Sequence, residues 1–192
     1  MAVWLWCMAS SLMHKVDLHT HSIASPDGSL AEADYRKMLD NGRLDCIAIT
    51  DHNTISFAKK MHAKFGERII VGEEITTHEG EIIGLYLTEP VKAGMSAAET
   101  ADAIKKQGGL VYIPHPFETV RKGVSTTTLD GIAGKVDIIE TRNGRAVFQN
   151  KSKQAEVWSQ RHRVPGAASS DSHGKHGWGR TYSMVGRMPA RA

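Results

Sequence analysis

The sequence predicts an α/β fold, a barrel-like domain built around a parallel sheet. Three observations carry that reading. Short apolar runs rich in Val and Ile recur along the chain, amphipathic stretches with recognisable starts separate them, and polar residues of metal-binding type sit where the runs end. A strand apolar on nearly every residue is buried on both faces, so helices must cover both sides of the sheet.

In chain order the runs are KVDLH (15–19), LDCIAIT (44–50), RIIVG (68–72), EIIGLYL (81–87), LVYIP (110–114), VDIIE (136–140) and GAASS (166–170). Each has strand length, and β-branched residues dominate most of them. Helices are expected over 30–41, 54–65, 97–107 and 147–162. Two open on a capping-box pattern, Ser29 with Glu32 and Ser96 with Glu99, in which each side chain satisfies the other residue's backbone N–H. Seven strands separated by helices suggest closure into a barrel.

At 192 residues, 41% hydrophobic and 23% charged, the chain suits one sizeable core rather than two. Residues 1–14 are expected to be a non-native or disordered extension, leaving 15–192 as a single domain. Met1 to Met13 is apolar, but it lacks a basic leader and falls short of the ~20 residues a membrane helix needs. The run MHKVDLHTH from Met13 would make a natural start. A net charge of +3, spread among mixed acids and bases, gives no footprint for a membrane or for extended nucleic acid. Cys7 and Cys46 are far apart, and Cys46 lies in an apolar run, so no disulfide framework is expected and a reducing cytoplasm fits.

His19 and His21 end the first run, Asp51 and His52 follow the second, and Glu73 and Glu74 follow the third. His115 follows LVYIP, and Asp171 and His173 follow the last run. In α/β barrels the C-terminal rim of the strands is where functional side chains converge, so distant residues can meet there. Each piece alone has an ordinary explanation. An H-x-H can be a surface accident, Asp51 and His52 a helix cap or turn, Glu74 a solvated carboxylate, and His115 a packed ring between two prolines. Their coincidence at successive strand ends favours a multinuclear metal site.

The segments DLHTHSIASPDGSL, AITDHNTI, VGEEIT, IPHPF and SSDSHG resemble, in order and spacing, the polymerase and histidinol phosphatase (PHP) family of metal-dependent phosphoesterases. The resemblance runs from about Lys15 to Val185. It implies a distorted seven-stranded (β/α) TIM-like barrel with two or three divalent ions, Mn, Zn or Fe. The ligands it implies are His19, His21, Asp27, His52, Glu74, His115, Asp171 and His173, with Glu74 rather than Glu73 as the bridging carboxylate. Many members carry a further histidine in the strand after the Glu motif; here that stretch holds Glu81, and the role is not carried across. After GRTYSMV the chain has only GRMPARA, which suggests either a member shortened at its C-terminus or an altered end of the coding sequence.

Imidazoles and carboxylates without thiolates suit Zn, Mn or Fe in an open hydrolytic site. Such ions would activate water for attack at phosphorus. Phosphate also needs cationic donors. Arg142 and Arg145, in the loop after the sixth run, are the first candidates; Arg121, Lys122 and His176 are second choices, with His176 the candidate leaving-group acid. The expected function is hydrolysis of small phosphate esters: phosphomonoesters, nucleotides or short oligonucleotides. The alternatives are a non-catalytic metal-binding accessory module and an amidohydrolase-type hydrolase. Aromatic residues are 6% of the chain, and Trp4, Trp6 and Trp158 lie outside the motif loops, which argues against a long nucleic-acid platform. Trp178, just after SDSHG, could stack on one base or cover the barrel mouth.

Overall fold

A computed structural model describes residues 13–146 and 149–187. Strands β1 (His14–Asp17), β2 (Cys46–Ile49), β3 (Ile69–Thr77), β4 (Gly80–Leu85), β5 (Leu110–Ile113), β6 (Ile138–Asn143), β7 (Gly166–Ser169) and β8 (Ser183–Val185) form one sheet. Helices α1 (Glu32–Asp40), α2 (Ser56–Phe65), α3 (Ala97–Lys106), α4 (Thr126–Gly131) and α5 (Ser152–His162) connect and cover it. The strand order is β7-β6-β5-β4-β3-β2-β1-β8. The sheet then bends round on itself. Beyond the end of β1, Asp171 donates its N–H to the His19 carbonyl at 2.9 Å and His21 donates to that of Ser172 at 2.8 Å. These bonds nearly close a distorted TIM-like barrel, the expected fold class.

Three features depart from the expected parallel seven-stranded arrangement. β4 is antiparallel to both β3 and β5, because only His78 and Glu79 separate β3 from β4 and so short a link can make only a hairpin. β3 also runs on through Thr77, so Glu73 and Glu74 lie within it rather than after it. The eighth strand, β8, pairs antiparallel with β1, and the Ser183 hydroxyl both accepts from the Ala168 N–H and donates to its carbonyl.

The Ser96–Glu99 capping box forms as expected, with Glu99 N–H donating to Ser96 Oγ and Ser96 N–H to the Glu99 carboxylate. The Ser29–Glu32 pair does not. α1 starts later, Asp34 takes the Ala31 N–H, and the Ser29 hydroxyl donates instead to the His173 carbonyl. α4 was not expected from the sequence. Residues 1–12, on which most of the expected extension falls, lie outside the described residues; His14 already belongs to β1. Val147 and Phe148, at the expected start of the last helix, also lie outside them.

The main core fills the layer between strands and helices, with Ile47, Ile49, Ile69, Met61 and Ile104 fully buried. A second cluster, including Val16, Cys46, Ala48, Ile70, Ile83 and Tyr112, lines the opposite face of the same strands. Ile70 shares its face of β3 with Glu74, by the two-residue period of a strand, so this apolar cluster forms the floor beneath the polar site. Cys46 is a buried free thiol in that floor. Among the described residues no helix is long and apolar enough to cross a membrane.

Candidate metal centre

The β2–β3 ladder continues past the strand ends. Glu74 donates its N–H to the Asp51 carbonyl and accepts from the Asn53 N–H, which sets His52 and Glu74 side by side. The closing bonds between the ends of β1 and β7 bring His19 and His21 beside Asp171. His115 reaches the same point from the loop after β5, with a positive φ of 27°. Asp171 also has a positive φ, 51°. Such backbone in a non-glycine residue costs of order 1–3 kcal/mol and persists where the surroundings over-determine it. Here the His115 N–H is held by Glu140 at 2.7 Å and that of Asp171 by the His19 carbonyl.

Glu74 lies at the centre and is buried. Its Oε1 is 3.0 Å from His115 Nε2 and 3.5 Å from His19 Nε2; its Oε2 is 3.2 Å from both His21 Nε2 and His52 Nδ1. One carboxylate thus faces four imidazoles, two from each oxygen. Asp171 Oδ1 lies 3.4 Å from His19, 3.6 Å from His21 and 3.5 Å from His173. Three groups of residues have ligand atoms within 4.8 Å of one another: His19, Glu74 and His115; His19, His21 and Asp171; and His21, His52 and His173. Asp27 stands at the mouth, more than half exposed, and its two oxygens reach His52 and His173 at 3.7 and 3.1 Å. All eight expected ligand positions therefore meet at one place, with Asp27 at the edge.

Second contacts aim these rings. A carboxylate can only accept, so the 3.2 Å contact from His19 Nδ1 to Glu140 Oε1 places the proton on Nδ1 and leaves Nε2 facing the cluster. The Ser25 hydroxyl gives its one proton to Asp51, so the 3.1 Å contact with His21 Nδ1 makes that nitrogen the donor too. Nε2 of His19 and of His21 then face each other at 3.1 Å. Nitrogens so close, ringed by carboxylates, need positive charge between them, which a proton or a metal ion can supply. The electrostatics agree. Burial alone would draw His19 down, but the carboxylates of Asp171, Glu74 and Glu140 hold it well above the usual imidazole value. Glu74, which burial alone would raise, is held well below the carboxylate range by His19, His115 and His21. Burial and the neighbouring His21 push His173 down to about 4, the neutral state that a ligand needs. This donor set, all nitrogen and oxygen, fits divalent transition ions.

The cationic candidates separate. Arg145 Nη1 lies 2.6 Å from His173 Nδ1 and 3.7 Å from Asp171 Oδ1. Arg142 is exposed and takes no part in the cluster, because a bulge between Glu140 and Arg142 turns Asn143 inward instead. Asn143 Nδ2 donates to Glu140 and to Asp171 Oδ2. Arg121, clamped by Glu118, donates to the same Asp171 oxygen at 2.8 Å, leaving Oδ1 for the imidazoles. Beside the cluster is a cavity of about 750 Å³, whose lining includes Arg121, Arg145, His173, His176 and Arg180. Trp178 is buried in the strand–helix core, edge-on against Tyr35 at 5.1 Å, and offers no stacking face.

Sequence reasoning missed Glu140, Asn143 and Ser25. The signal for Glu140 was an acid closing the apolar run VDIIE, where burial demands partners.

No family model matches the chain. An uncharacterized protein of Methanocaldococcus jannaschii is 34% identical over 149 residues, covering 71% of this chain and 87% of that protein. A two-domain protein from Bacteroides vulgatus, containing a predicted PHP-like metal-dependent phosphoesterase, superimposes with a TM-score of 0.68 at 21% identity, over 84% of this chain and 52% of its own. Endonuclease Q, solved with a 27-mer duplex bearing an abasic lesion at its active site, superimposes with a TM-score of 0.64 at 14% identity, over 84% of this chain and 49% of its own. This chain thus spans about half the length of each of those two structures.

Proposed function

We propose that the chain is a metal-dependent phosphoesterase of the PHP kind, whose fold it shares, and that it hydrolyses small phosphate esters at a cluster of two or three divalent ions held by His19, His21, Asp27, His52, Glu74, His115, Asp171 and His173. The observation that carries this reading is the division of Glu74 between two pairs of imidazoles, the arrangement a carboxylate needs to serve two ions at once. Ions held there would supply a water of lowered pKa and a clamp for the phosphoryl oxygens.

The chain's own residues supply the rest. Arg145 reaches the edge of the cluster and Arg180 lines the adjoining cavity; a guanidinium fork matches phosphate oxygens, so these two orient the ester. Arg121 is already committed to Glu118 and Asp171, so it positions Asp171 rather than gripping substrate. His176, exposed in the cavity lining, is the residue we assign to give the leaving oxygen a proton.

A cavity of about 750 Å³ matches a small molecule. The duplex carried by Endonuclease Q makes nucleic acid the competing substrate. Against it, among the described residues Arg142 is exposed away from the cluster and Trp178 is buried in the core. Turnover of p-nitrophenyl phosphate, a nucleoside 3′,5′-bisphosphate and a twenty-nucleotide strand, each at two salt concentrations, tests the assignment. Small esters should be hydrolysed with weak salt dependence; preference for the long strand, lost at high salt, would overturn it.

A further inference from the structure

Glu81 opens β4, and because β4 runs backwards between its parallel neighbours, its first residues lie at the same rim as the C-terminal ends of those neighbours. The residue is buried. Its Oε2 lies 3.8 Å from His115 Nε2, and the same nitrogen is 3.0 Å from Glu74 Oε1. Two carboxylates therefore converge on one imidazole. Among the described residues the Glu81 carboxylate accepts no hydrogen bond, and no Lys or Arg comes within ion-pair distance of it. Its oxygens keep some contact with solvent and, among the described residues, have no hydrogen-bond partner of their own, so they are open to a cation. The orienting contacts seen at His19 and His21 have no counterpart here, so Glu81 is not holding another ligand in place.

The two ends of the cluster also differ in chemistry. The outer group, His21, His52 and His173, offers three nitrogens, with Asp27 at its mouth and Glu74 Oε2 beside it; the inner group, His19 and His115, offers two nitrogens with Glu74 Oε1. We propose that Glu81 is a further ligand of the inner ion, which makes that position a site of two imidazoles and two carboxylates, more favourable to Mn²⁺ relative to Zn²⁺ than the imidazole-rich outer position. The direction follows from ligand type, since carboxylates favour Mn²⁺ while imidazoles suit zinc. The second carboxylate also adds negative charge where the ion has least access to solvent. The inference rests on the cluster being a metal site, as proposed above.

The test is direct binding of metal alone. Wild-type protein, Glu81→Gln and Glu81→His are stripped with chelator and titrated separately with Mn²⁺ and Zn²⁺, and bound metal is counted by mass spectrometry. Glu81→Gln should bind one Mn²⁺ fewer per chain, or bind it more weakly by more than the roughly 10–100-fold that loss of an outer hydrogen-bond partner costs. Its Zn²⁺ at the outer position should remain. Glu81→His should recover the missing ion with the preference shifted towards Zn²⁺, a rescue that a residue merely filling space would not show. Stripped Glu81→Gln should keep the wild-type circular dichroism spectrum; if it does not, Glu81→His decides, since recovery of the ion with shifted preference supports ligation and unchanged preference refutes it. Wild-type Mn²⁺ stoichiometry and affinity in Glu81→Gln would remove Glu81 from the site. A wild-type chain that binds neither metal would overturn both this inference and the phosphoesterase reading, whereas metal binding without ester hydrolysis would overturn the latter alone.

Discussion

At the scale of single residues, what separates the functional groups is which way the backbone turns them. Arg142 and Arg145 are equivalent in the sequence, yet the bulge in β6 sends Arg142 to solvent while Arg145 reaches His173. Arg145→Ala should lower kcat/KM by roughly 10–100-fold, the 1.5–3 kcal/mol of a hydrogen bond to a charged group, while Arg142→Ala changes it less than twofold. Steady-state kinetics on one small ester would settle both, and equal losses would show that the bulge does not matter. Glu140 offers a second contrast. Its carboxylate accepts from His19, Tyr112, the His115 N–H and Asn143 together. An amide replaces one acceptor with a donor, so Glu140→Gln must present N–H to at least one N–H already there. Metal affinity should fall roughly 10–100-fold, read by titration, with the secondary structure intact.

At the scale of elements, the runs at 44–50 and 110–114 and the Ser96 capping box were legible, because local periodicity and local hydrogen bonding decide them. The convergence of the candidate ligand residues was legible too, since His, Asp and Glu at strand ends need only the rim geometry of a barrel. The direction of β4 was not read, although the sequence carries it: the stretch between the runs at 68–72 and 81–87 is too short for a helix and contains Gly80. The Glu140–Asn143–Arg121–Asp171 network was beyond reach, because it depends on a bulge and on a loop carrying positive φ at Phe117 and Lys122. Ser29 misled for a related reason, its hydroxyl serving the His173 carbonyl across the barrel seam rather than its own helix. Gly80 tests the hairpin directly. Its φ of 133° is one that L side chains rarely adopt, and an added Cβ would meet the Lys122 carbonyl at 2.8 Å. Gly80→Ala should destabilise the fold by roughly 1–3 kcal/mol. A melting temperature equal to wild type would show that the hairpin tolerates another turn.

At the scale of the whole molecule, the site joins parts of the chain that are far apart in sequence. The candidate ligands come from the segments that follow β1, β2, β5 and β7 and from β3 itself, and every ion bound only by the folded state adds RT ln(1 + [L]/Kd), about 4 kcal/mol at a thousandfold excess over Kd. Chelation should therefore abolish turnover and lower the melting temperature together. An unchanged melting curve with no bound metal would favour an accessory module over an enzyme.

The seam between β1 and β7 has a consequence for how the molecule is made. The His19 carbonyl accepts from Asp171, and both side chains face the same ion position, so binding there fastens position 19 to position 171 as a reversible crosslink. Like a disulfide across a long loop, such a link removes most freedom from the unfolded chain when it spans nearly all of it. It also cannot form until the last ligands have left the ribosome. An earlier fragment holding His19, His21, His52, Glu74 and His115 lacks the partner that closes the cylinder, so loading of metal would report that synthesis has passed Asp171 and His173.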